Sequence, residues 1–173
     1  AWALISTGTA SGSATLDFTG FNNSIYSSYK FLVENINPAT DATDFWMRTS
    51  TDGGSSYDDG AADYDWAAVE AQTGQILTRG AASATRIILR SNSAIGNAST
   101  EGLSMEITLY VPGDGVLVTM VNFAYLTHTN GATLHSGHGG GFRDSATAVN
   151  AVRFLMDSGN MDTGTIQFLG QVK

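Results

Sequence analysis

Apolar and polar residues alternate with a period of two over much of this chain, the spacing of strands that bury one face. Along residues 103–111, Leu103, Met105, Ile107, Leu109 and Val111 fall on one side and Ser104, Glu106, Thr108 and Tyr110 on the other. Pro112-Gly113-Asp114-Gly115 then reads as a turn into residues 116–125, an apolar run that predicts a central strand covered on both faces. Residues 45–50 place Phe45, Met47 and Thr49 on one face and Trp46, Arg48 and Ser50 on the other. Asp52-Gly53-Gly54 follows at once, residues that tolerate positive φ, so the stretch to Tyr57 predicts a β-hairpin. Further strands are predicted over residues 2–6, 14–18, 29–36, 84–89, 149–155 and 165–169. About nine short strands bounded by Gly, Asn, Asp and Ser clusters predict a single all-β domain over residues 1–173, an antiparallel, jelly-roll-like β-sandwich.

Three stretches resist this pattern. Residues 64–72 are Ala-rich, with Trp66 and Val69 at helical spacing, and compete for a helix; a strand is preferred. Residues 91–101 and residues 127–145, rich in Gly and His, lack a clear period and are expected as long surface loops. Phe18, Phe154, Trp2 and Trp46 are expected in the core.

Composition narrows the function classes. The chain holds 16 acidic and 8 basic residues, a formal charge of −8, and its Lys and Arg are scattered, so a nucleic-acid groove is excluded as an expectation. No apolar run is long enough for a membrane-spanning helix, and membrane insertion is not expected. With no Cys, there is neither a disulfide framework nor thiol chemistry.

The turn Thr51-Asp52-Gly53-Gly54-Ser55-Ser56-Tyr57, preceded by Arg48-Thr49-Ser50, resembles a module of tailed-bacteriophage virion proteins. The likeness extends to residues 9–20, to Asn37-Pro38-Ala39-Thr40-Asp41, to the Tyr-x-Trp step Tyr64-Asp65-Trp66, and to Gly164-Thr165-Ile166-Gln167-Phe168-Leu169-Gly170 near the end. Members of that family often close on Tyr-Gly where this chain has Leu169-Gly170. The resemblance implies a location on the exterior of a phage particle, after synthesis in the host cytoplasm. It also implies contacts with other virion proteins and self-association, expected as a homotrimer.

Several clusters invite chemistry. His138-Gly139-Gly140-Gly141 copies the oxyanion-hole motif of lipase-like hydrolases, but the chain has no Gly-x-Ser-x-Gly nucleophile elbow to act with it. His128, His135 and His138 are imidazoles in one segment without an accompanying Cys or carboxylate, so no closed metal site is expected within one chain; a site shared around a trimer axis is the variant considered. Asp52, Asp58, Asp59, Asp63 and Asp65 make an oxygen-rich stretch, a calcium candidate by composition, yet their spacing is not that of an EF-hand. The same acids do not by themselves make a glycosidase pair, which needs two carboxyls at a defined separation. The expectation is no cofactor. Tyr26, Tyr29, Tyr57, Tyr64 and Trp66 are the aromatics placed to offer rigid contact surfaces.

The sequence reading is therefore a non-enzymatic structural protein of a phage virion, foremost a tail-fibre or tail-tip domain that contacts a glycan or protein of the host surface. A capsid decoration (cement) protein is the alternative, and a carbohydrate-acting enzyme a distant one. The binding residues expected in exposed loops at one end are Asp52, Tyr57, Asp58, Asp59, Tyr64, His128, His135, His138 and Arg143.

Overall fold

The alternation does produce strands. In this computed structural model, residues 1–110, 112–113 and 115–173 are described, with the backbone alone of residues 91–94; Val111 and Asp114, which the sequence reading placed at a strand end and in a turn, lie outside them. The described residues form twelve strands: β1 Trp2–Thr9, β2 Thr15–Phe18, β3 Tyr26–Pro38, β4 Thr43–Ser50, β5 Tyr64–Gln72, β6 Gln75–Ala84, β7 Ile87–Ile95, β8 Gly102–Tyr110, β9 Met120–His128, β10 Leu134–Arg143, β11 Ala151–Met156 and β12 Met161–Val172. All pairings are antiparallel.

Two sheets form, one in the order β1-β12-β3-β8-β9-β10-β5-β6 and one in the order β2-β11-β4-β7. Set aside the hairpins β5–β6 and β9–β10, and the remaining eight strands make two four-stranded sheets, β1-β12-β3-β8 facing β2-β11-β4-β7. That is the jelly-roll wrap the sequence predicts. The two hairpins then add themselves beyond β8 and widen one sheet to eight strands. The pairing of β1 with β12 sets Trp2 opposite Gln171, and the Val172 N–H donates to the Ala1 carbonyl at 2.9 Å.

The core lies between the sheets and is rich in phenylalanine. Phe31 on β3 stacks on Phe168 of β12 with centroids 4.8 Å apart, and Phe18 meets Phe31, Phe154 and Phe168 edge-on at 5.3, 5.9 and 5.8 Å. Phe45 stacks on Phe154 at 5.6 Å, so β4 and β11 join the same cluster. Such pairs add roughly 0.5–1.5 kcal/mol each beyond the burial of their area.

Several expectations are corrected. β4 has the predicted faces, with Phe45, Met47 and Thr49 buried, but it is not one arm of a hairpin: it pairs with β11 and β7, and after the Asp52-Gly53-Gly54 turn the chain returns only as far as an Asp58 N–H to Thr49 carbonyl bond of 2.9 Å. The run at residues 116–125 is not one strand covered on both faces. Its strand starts at Met120, and Val116, Leu117 and Met120 are exposed. Residues 84–89 straddle the turn between β6 and β7, and residues 64–72 form a strand, β5.

The stretch at 127–145 is not a long loop either. Leu134–Arg143 is β10, a strand in mid-sheet, and β7 carries extended backbone through Ile95 where a loop was expected. The period of two in β10 is written in glycine. Gly137, Gly139 and Gly141 occupy the inward positions, where aromatic side chains take the room: a Cβ at Gly137 would stand 2.6 Å from Tyr125 Cζ, one at Gly139 2.6 Å from Phe123 Cζ, and one at Gly141 3.1 Å from Trp66 Cβ. Trp2 is exposed on β1 rather than buried, and Trp46 is half-buried on the outer side of its sheet, with the Arg86 guanidinium 3.7 Å from its ring centroid.

Candidate binding loops and a buried ionic cluster

The loop at residues 51–63 joins β4 to β5, and short polar side chains hold it. The Asp52 carboxylate accepts bonds from the Ser50 hydroxyl (2.7 Å), the Ser56 N–H (3.0 Å) and the Ser56 hydroxyl (2.6 Å). Those bonds, Ser56 first, hold its pKa well below the ordinary carboxylate value although the group is at the surface. Asn150 bridges the loop to the β10–β11 connection, accepting from the Gly53 N–H at 2.8 Å and donating to the Thr51 carbonyl at 3.0 Å. Gly53 and Gly54 have φ of 76° and 89°, so the turn needs residues without a side chain.

Tyr64 anchors the loop from below. Its ring is fully buried, and its hydroxyl accepts from the Thr49 N–H at 2.8 Å and donates to the Asp58 carbonyl at 3.2 Å. Burial pushes its pKa up to about 12, against the opposing bonds from Thr49. Arg143 Nε donates to Asp58 Oδ2 at 2.6 Å, and this bond raises the pKa of the guanidinium. Tyr57 is half-buried under the Arg153 guanidinium, 4.1 Å from the ring centroid, while Arg153 forms a two-pronged pair with Asp17 at 2.8 and 2.7 Å. Burial, then the Asp17 charge, raises the Tyr57 pKa.

The acids of this region diverge rather than converge. Asp63 caps the Gly60 N–H at 2.6 Å, Asp65 accepts from the Ser83 N–H at 2.7 Å, and Asp59 turns outward with Arg48 3.8 Å away. Among the described residues, no group of three or more His, Cys, Asp or Glu side chains is placed to hold a metal ion.

The histidines are likewise separated. His138 is exposed on the outer face of β10, whereas His135 is buried on its inner face. His128 ends β9, with Nδ1 2.8 Å from the Thr100 carbonyl. The expectation of one loop cluster at one end is therefore corrected. Arg143 pairs with Tyr64 beside the 51–63 loop, but His128 lies opposite Leu134 at the other end of the sheet, roughly 30 Å away along a strand at about 3.3 Å per residue. Two of the expected exposed residues, Tyr64 and His135, are buried, and Tyr29 and Trp66 are buried too. Asp52, Tyr57, Asp58, Asp59 and Arg143 remain together at the loop end.

A cluster that no motif announces lies between the sheets beneath the two added hairpins. Glu70 of β5, Arg90 of β7, and Tyr125 and His135 of β9 and β10 are all buried. Glu70 Oε2 receives Arg90 Nη1 at 2.6 Å and the Tyr125 hydroxyl at 2.7 Å; Gln72 Nε2 donates to Oε1. Burial works to raise the Glu70 pKa, but the bonds from Tyr125, Gln72 and Arg90 outweigh it and keep the carboxylate ionised. Tyr125 is held far above the usual phenol range by burial and by its bond to that carboxylate.

His135 Nδ1 lies 2.9 Å from Arg90 Nη2 and 3.3 Å from Glu70 Oε1. The closer partner is a donor, so Nδ1 accepts and the proton sits on Nε2, 3.3 Å from the Thr133 hydroxyl. Burial and the Arg90 charge lower the His135 pKa against the pull of Glu70. The sequence does carry a trace of this cluster: Glu70 falls in phase with the buried Tyr64 and Trp66, and Tyr125 in phase with Val121 and Phe123.

No family model and no curated protein matches this chain. Solved structures that align with it include two of the flagellar cap protein FliD from Escherichia coli. The D1-D2-D3 domains align at 12% identity and a TM-score of 0.16 over 94% of this chain and 56% of theirs. The D2-D3 domains align at 11% identity and a TM-score of 0.15 over 94% and 98%. Likeness at that level carries no argument about fold or function.

Proposed function

We propose that the protein is a non-enzymatic structural domain on the exterior of a tailed-phage virion, with a tail-fibre or tail-tip role in which the loop at residues 51–63 faces the host surface. The observation that carries this reading is the build of that loop. Residues Thr51 to Tyr57, which carry the resemblance to virion modules, are also those whose hydrogen bonds hold the loop in a single shape. A contact surface ordered in advance loses less entropy on binding, which suits a receptor-facing tip. The exposed carboxylate of Asp59 and the edge of Tyr57 are the groups it offers to a host glycan or protein.

Capsid decoration is the second reading, favoured by the broad outer face of the eight-stranded sheet, which would lie flat against a shell of subunits. Labelled antibody on purified particles, viewed by electron microscopy, separates the two. Label at tail tips or fibres is the expected result. Label over heads moves the assignment to decoration, and unlabelled particles overturn the virion reading altogether.

A further inference from the structure

The four-stranded sheet covers one face of the eight-stranded sheet; among the described residues no segment covers the other. Outward positions there include Leu4, Met120, Leu126, Leu134, Val69 and Ile76, which are 59, 47, 57, 61, 37 and 74% exposed. Trp2 and Tyr110 add aromatic surface on the same side. Apolar exposure on this scale marks an interaction surface more often than a free one.

The face has relief. Asn122, Gly140, Ala67 and Gly80 stand opposite one another on β9, β10, β5 and β6 and form a row with almost no side chain beyond Asn122. Met120, Phe142 and Asp65 stand along one side of this row, and with Ala67, Gly80 and Gly140 they line a depression of about 670 Å³; His138 and Val69 lie on the other side of the row. A second depression of about 520 Å³ lies across β3, β8 and β9 beside Leu32, Ala124 and Leu126. Ridges and hollows of similar size thus alternate across one surface.

We propose that this face is the contact between two copies of the chain, packed sheet against sheet about a two-fold axis so that the Met120–Phe142 ridge of each enters the glycine trough of the other. This goes beyond the function proposed above and puts a two-fold dimer in place of the homotrimer that the resemblance implies. Three observations select a second copy. A two-fold contact requires one surface to carry both the projection and its recess, and this face does. Its extent also fits: eight strands about 4.8 Å apart and about eight residues long cover roughly 900 Å², against the roughly 800 Å² per partner of a standard interface. Charged side chains there are few: Lys30 is tied to Glu106 at 2.6 Å and lies 5.0 Å from the Trp2 ring centroid, and Glu34 and Asp65 stand at the two depressions.

The test is the mass of the intact chain in solution by light scattering coupled to size exclusion, from about 1 to 100 μM, a span that brackets a micromolar Kd. Twice 18.1 kDa is expected, falling to 18.1 kDa in the double variant Met120→Asp/Leu126→Asp and unchanged in Ile25→Asp, which is off the sheet. Hydroxyl-radical labelling of the unaltered protein reads the same surface without a variant. Met120, Leu126 and Leu134 should lose at least about half of their labelling when the concentration crosses into the dimer range, with Ile25 unaffected.

A monomer throughout, a trimer, a dimer that survives the double variant, or labelling that ignores concentration would each overturn the proposal. A virion-bound protein that stays monomeric fails this inference alone, whereas a dimer on no particle fails only the virion assignment.

Discussion

Glu70 and Arg90 form an ion pair of 2.6 Å with side chains 1% and 0% exposed, and each is the other's charge partner in the space between the sheets. Removing either one breaks a buried ion pair from one side, which costs about 3–5 kcal/mol, whereas an apolar pair of similar volume is close to neutral or better. Glu70→Gln and Arg90→Met should each lower unfolding free energy in urea by that amount. The double variant Glu70→Leu/Arg90→Met should recover most of the loss, and a strictly additive double variant would show that the two do not act as a pair.

His135 makes stability depend on pH. Its folded pKa is lowered, so the unfolded chain takes up the proton more readily, and the stability it contributes is present above the ordinary value of 6.5 and lost as pH falls below it. Glu70, also lowered, adds a second loss starting only below its ordinary value of 4.5. The midpoint of urea unfolding should therefore drop between pH 7 and pH 5.5, and His135→Gln should flatten that part of the profile while leaving the steeper acid limb.

Tyr64→Phe removes the hydroxyl that the Thr49 N–H donates to and orphans a buried donor. A loss of about 1–3 kcal/mol is expected. Since the same hydroxyl holds the Asp58 carbonyl, limited proteolysis should find a new cleavage site within residues 51–63. If resistance is unchanged, Tyr64 does not anchor the loop.

Gly139→Ala places a methyl 2.6 Å from Phe123 Cζ and 2.5 Å from the Ala67 carbonyl oxygen, in a core with no room for either to move far. Overpacking of this kind costs about 1–3 kcal/mol. Gly140→Ala points to the open face, where the nearest atom is the Val121 carbonyl oxygen at 3.1 Å, and should cost less. Thermal melts of the two variants give the order directly; a reversed order would put the inward phase of β10 on the wrong residues.

What the sequence revealed, and what it hid, follows from where burial occurs. β3, β4 and β8 were legible because a buried face beside a solvated one writes itself as Phe31-Val33, Phe45-Met47 or Met105-Ile107 against polar neighbours. β10 was hidden because the aromatic bulk of its inner face comes from β9 and β5, so its own inward positions are Gly137, Gly139 and Gly141. β6 was hidden because, as an edge strand, it buries almost nothing, and Leu77 and Arg79 are only half-covered. The ionic cluster was out of reach as chemistry, since Glu70, Arg90, Tyr125 and His135 sit on four strands and meet only when the two hairpins join the large sheet. At the end of the 51–63 loop, Asp52 and its turn were readable from residue type, but the separation of the three histidines depended on a register that no local pattern encodes.

The pairing of β1 with β12 brings Trp2 opposite Gln171, Cα atoms about 5 Å apart in such a ladder. Any polypeptide joined before and after this domain would leave it from one corner, side by side. A load applied through the two ends thus falls on one pair of neighbouring strands. Pulled by its ends, the domain would open as a zipper, one ladder bond at a time, starting at that corner.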